Sequence, residues 1–92
     1  MTGLAVVDGT LQGYVDITLS RPVDIAGAAV STLRMREPTV GDQLVAEKMR
    51  GEPADRELTL FANLCEVMPD DLKRLPMRDY KRVQQAYSSF LD

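Results

Sequence analysis

The sequence predicts an α+β fold in which an N-terminal antiparallel β-hairpin packs on three to four α-helices. Three observations carry this. Two runs within residues 14–36 alternate apolar and polar side chains, the spacing turns helical after Pro38, and proline or acidic residues recur where helices would start. Ninety-two residues, 45% hydrophobic and 27% charged, suit one globular domain with a single modest core. Three Tyr, two Phe and no Trp make that core mostly aliphatic.

Residues 1–13 carry Gly3, Gly9 and Gly13 with little periodicity and are expected to form a flexible arm, with room for an edge strand at Ala5 to Val7. The domain proper is assigned to residues 14–92. From Tyr14 to Leu19, Val15, Ile17 and Leu19 alternate with Asp16 and Thr18, as in a strand with one buried face. The segment Ser20 to Asp24, containing Pro22, is expected to end that strand and begin a long hairpin connection. A second strand follows over Ala29 to Arg36, with Leu33 and Met35 on one face and Arg34 and Arg36 on the other. A lone hairpin is marginal in water, so it must lie on the helices downstream.

Pro38 holds Glu37 away from helical dihedrals, and Thr39 with Asp42 forms a capping-box pattern with Asp in place of Glu. The first helix is expected over Val40 to Arg50, with Val40, Leu44, Val45 and Met49 inward. Pro53, Asp55 and Glu57 suit the start of a second helix over Ala54 to Val67. At about 100° per residue, its apolar side chains from Leu58 to Met68 cover an arc of about 220°. A surface helix needs a stripe of little more than about 100°. The helix is therefore either sandwiched or offers part of its apolar face to a partner. A short turn at Pro69 to Leu72 precedes a final helix over Met77 to Leu91, whose Tyr80, Val83, Tyr87, Phe90 and Leu91 share one face.

The charge balance, 11 − 14 = −3, argues against a broad phosphate-binding surface and hence against nucleic acid. No histidine is present, which removes imidazole catalysis and imidazole metal ligation. The single cysteine, Cys65, permits neither an internal disulfide nor a multi-cysteine zinc site, and no basic side chain lies one helical turn away to activate it. Neither a signal peptide nor a membrane span is read at the start, so a reduced cytoplasmic setting is expected. Asp70 and Asp71 read as helix-capping acids, and Lys73, Arg74, Arg78, Lys81 and Arg82 as a solvated face or a contact for an acidic partner. Arg36 stands at the corner between strand and helix, where it can pair with Asp42 or reach a partner. No enzyme mechanism, cofactor or metal is expected.

The order of Leu19 to Pro22, Gly27, Leu33 to Thr39 with Asp42, Leu72 to Leu75, Asp79-Tyr80 and Phe90 resembles the phage tail assembly chaperone family. The likeness is to the short E-type chaperones of Mu-like and P2-like phages and prophages, over about residues 14–91. The arm and the Pro76-Met77 entry to the last helix depart from the pattern. The resemblance implies a non-enzymatic factor of the bacterial host cytoplasm that coats the helical, hydrophobic tape measure protein, keeps it soluble and recruits tail tube subunits. It also implies a frameshift-extended second form in many relatives, and it leaves a homo-oligomer open. On this reading the candidate partner-binding residues are Leu60, Phe61, Leu64 and Val67 on the second helix, together with Arg36. The alternative is a small regulatory or adaptor domain that binds a folded protein through its hairpin edge.

Overall fold

The computed structural model describes residues 13–92; the expected arm and its edge strand at Ala5 to Val7 lie outside the described residues apart from Gly13. Two antiparallel strands, β1 (Tyr14–Ile25) and β2 (Ala28–Arg36), are followed by α1 (Val40–Glu47), α2 (Pro53–Cys65), α3 (Pro69–Lys73) and α4 (Met77–Phe90). The predicted α+β architecture is the observed one.

The hairpin is longer and tighter than its sequence suggests. β1 continues through Pro22 to Ile25, and the expected long connection is a two-residue turn, Ala26-Gly27, between the paired residues Ile25 and Ala28. Both turn residues have positive φ, 53° and 85°, as in a type I′ turn. The proline is accommodated because the register shifts between Thr18 and Val23. Residues Leu19 to Pro22 bulge opposite Ser31 alone, and a bulge tolerates a residue without an N–H.

Ile17, Leu19, Leu33 and Met35 form the hairpin's buried face. Leu60, Phe61 and Leu64 of α2 pack into the same core, joined by Leu72, Leu75, Val83 and Ala86 from the C-terminal third. The Phe61 ring lies 5.1 Å from that of Tyr87 and 6.0 Å from that of Tyr80, so α2 and α4 meet through aromatic contacts.

Each helix has an aspartate at its third position. In α1 the capping box is complete: Asp42 N–H donates to Thr39 Oγ1 at 3.2 Å, and Thr39 N–H donates to Asp42 Oδ2 at 2.8 Å. Asp55 and Asp71 likewise accept the N–H groups of Glu52 and Met68 at 3.1 and 2.9 Å. In α4 the residue before the helix is Pro76, which has no N–H to give. Asp79 therefore has no local donor there and reaches across to β1, accepting from Ser20 N–H at 2.9 Å and Ser20 Oγ–H at 2.8 Å. The unusual proline entry thus frees the carboxylate that fastens α4 to the hairpin.

The expectation for α1 is corrected in both length and orientation. It ends at Glu47, and Val40, Leu44 and Val45 are 77, 51 and 53% exposed, while Ala46 is its buried residue. The rotation follows from Asp42, which must face Arg36 and the N-cap. Ala46, one turn on, shares that inner stripe, and Val40 and Leu44 are carried to the opposite side.

Candidate functional site

The apolar arc of α2 is accounted for by burial between neighbours. Leu60, Phe61 and Leu64 are core residues, Leu64 being only 1% exposed, whereas Val67 is half-buried beyond the helix end. Leu64, Val67 and Arg36 nevertheless come together. They line a groove of about 390 Å³ between β2 and the end of α2, with Tyr14, Thr32 and Arg34 on its strand side. Leu60 and Phe61 border a separate concavity of about 380 Å³ beside α1, shared with Ala46 and Tyr87. The five candidates are thus divided between two sides of α2.

Arg36 makes a two-pronged ion pair with Asp42, with both N–O distances at 2.8 Å. That guanidinium, with the Thr39 donors, holds the Asp42 carboxyl well below the usual carboxylate range despite partial desolvation. Arg34 pairs with Asp16 at 2.8 Å and lies over the Tyr14 ring at 4.0 Å. Both cations of the groove are therefore neutralised within the hairpin and its adjoining helix.

The basic cluster is largely structural. Arg74 donates to Asp24 O at 2.5 Å, Arg78 to Ser20 Oγ at 3.0 Å and Arg82 to Thr18 O at 2.9 Å, so these three arginines clasp β1. Burial opposes ionisation of Asp79, but the Ser20 donors together with Arg82 and Arg78 outweigh it and lower the carboxyl's pKa. Burial pushes the Cys65 thiol up to about 11, which leaves it protonated at neutral pH. Burial and the bond from its hydroxyl to Glu57, 2.9 Å long, raise the pKa of Tyr80. These shifted groups hold the fold together. Among the described residues, no Asp, Glu and Cys side chains gather into a group that could hold a metal ion. No described helix is long and apolar enough to cross a membrane.

The accessible apolar surface missed by the sequence reading is on α1. Val40, Leu44 and Val45 stand outward on an eight-residue helix, with Gly41 between them keeping the face low. The sequence signal was available in the pairing of Arg36 with Asp42, which fixes how the helix is turned. An outward apolar face and a groove beside a strand are surfaces suited to contact with another protein.

A family model described as "Phage tail assembly chaperone proteins, E, or 41 or 14" matches residues 16–92. The chain belongs to this family of phage tail assembly chaperones. Comparisons with curated proteins and with solved structures give no match.

Proposed function

We propose that the protein binds the tape measure protein of its phage, keeps that hydrophobic helical client soluble in the host cytoplasm, and helps bring tail tube subunits to it, without catalysis. The observation that carries this is the apolar face of α1. Three large aliphatic side chains cluster in water there, whereas the other exposed large hydrophobics, Met68, Met77 and Leu91, stand singly at helix ends. A helical client with an apolar stripe can lie across Val40, Leu44 and Val45, approaching closely over Gly41. Leu60 and Phe61 pack behind α1, while Arg36 and Val67 remain accessible on the separate groove beside β2. The frameshift-extended form, where one is made, would carry the same surface.

Co-expression with the tape measure protein tests this. The double substitution Leu44→Asp and Val45→Asp is expected to send the client to the insoluble fraction while the chaperone keeps its circular dichroism. A variant that folds and still keeps the client soluble overturns the assignment of α1.

A further inference from the structure

We propose that the open edge of β2 pairs with β2 of a second copy of this chain, making a four-stranded antiparallel sheet across a two-fold axis. The two edges of the hairpin differ sharply. On β1, Thr18 O accepts from Arg82, Ser20 N–H donates to Asp79 and Asp24 O accepts from Arg74. The bulge and Pro22 lie on the same strand, and each of these devices blocks strand addition. β2 has no proline, and among the described residues no side chain bonds its backbone groups.

The phase of the ladder identifies the free groups. Glu37 N–H donates to Gly13 O at 2.8 Å, and in an antiparallel pair hydrogen-bonded and non-bonded partners alternate. Thr32, Arg34 and Arg36, opposite Thr18, Asp16 and Tyr14, therefore aim their N–H and C=O groups away from β1. The outward Thr18 carbonyl taken by Arg82 agrees with this phase. The same three residues of β2 line the groove beside α2, whose apolar wall includes Val30, Leu33 and Val67. An extended strand entering there meets both backbone partners and an apolar wall.

A second β2 satisfies this edge. Pairing Thr32 with Arg34 of the second copy places Leu33 opposite its own equivalent and keeps each arginine from facing the same arginine. Arg34 and Arg36 carry their own carboxylates, Asp16 and Asp42, so the strands bring together ion pairs rather than bare like charges. The resulting sheet has two β1 strands outermost, each blocked over Thr18 to Asp24 by its bulge, Pro22 and side-chain bonds, and assembly closes at the dimer.

Sedimentation of the full chain over a range of concentrations, with amide hydrogen exchange on the same samples, tests the proposal. A monomer–dimer equilibrium is expected, in which the amides of Thr32, Arg34 and Arg36 exchange freely when dilute and gain protection as the dimer forms. Thr32→Pro, which removes an outward donor and sets its ring on the open edge, is expected to abolish the dimer while the chain keeps its circular dichroism. A chain that stays monomeric at high concentration overturns the proposal, as does a dimer in which those amides still exchange freely. Protection that arises only when tape measure protein is added assigns the edge to the client and likewise refutes the second copy.

Discussion

Leu64→Ala and Leu44→Ala make a paired perturbation that separates the core from the surface proposed for the client. Leu64 is 1% exposed within a core contributed by both strands and all four helices, so its truncation leaves a cavity. Such changes cost about 3 to 4 kcal/mol. A chain of this length has a total stability of about 5 to 14 kcal/mol, and each kcal/mol moves the melting temperature by about 4 to 8 °C. Leu64→Ala should therefore lower Tm by about 12 to 32 °C. Leu44 is 51% exposed and leaves no enclosed void. Half of a leucine's burial gives about 1 kcal/mol, or a fall of about 5 °C. Thermal unfolding followed by circular dichroism measures both, and capture of the tape measure protein is then compared at a temperature where both variants are folded. Leu44→Ala should weaken capture and Leu64→Ala should preserve it. Equal melting losses would refute the placement of α1, and capture lost only in Leu64→Ala would refute its role.

Thr39→Ala removes one side of the α1 capping box and should cost about 1 kcal/mol in urea unfolding. Asp42 has a depressed pKa in the fold, so its stabilisation is present above the ordinary carboxylate value near about 3.9 and fades as pH falls through the lower native value. Tm measured down the acid limb should accordingly fall less steeply in Asp42→Asn than in the wild type. With its pKa near 11, native Cys65 should react with a thiol reagent at pH 8 about a hundredfold more slowly than in urea-unfolded chain, and equal rates would show the thiol to be accessible.

Local signals in the sequence gave the hairpin, the cap at Thr39 and the starts of α2, α3 and α4, because alternation, proline and first-turn acids act within a few residues. The continuation of β1 through Pro22 was hidden because it depends on Asp79, 59 residues away, holding the Ser20 backbone. The outward face of α1 was misread because apolar spacing gives the shape of a stripe but not which side meets the core. That choice lies with an ion pair between Arg36 and Asp42, two residues in different elements. The broad arc of α2 left two options open, a sandwiched helix or a face offered to a partner, and the structure supplies neighbours from β2 and α4.

The attachments of α4 to β1 also set an order of events during synthesis. Asp79, Arg78 and Arg82 meet β1 across separations of 59, 58 and 64 residues, so the hairpin leaves the ribosome well before the groups that fasten it. Until α4 follows, Ile17, Leu19, Leu33 and Met35 have no complete covering, and closing a loop of that length is a late and entropically costly step. The nascent hairpin is thus at its most adhesive in the interval before α4 has emerged. Slowing translation through the codons for α4 would lengthen that exposure without altering the finished protein.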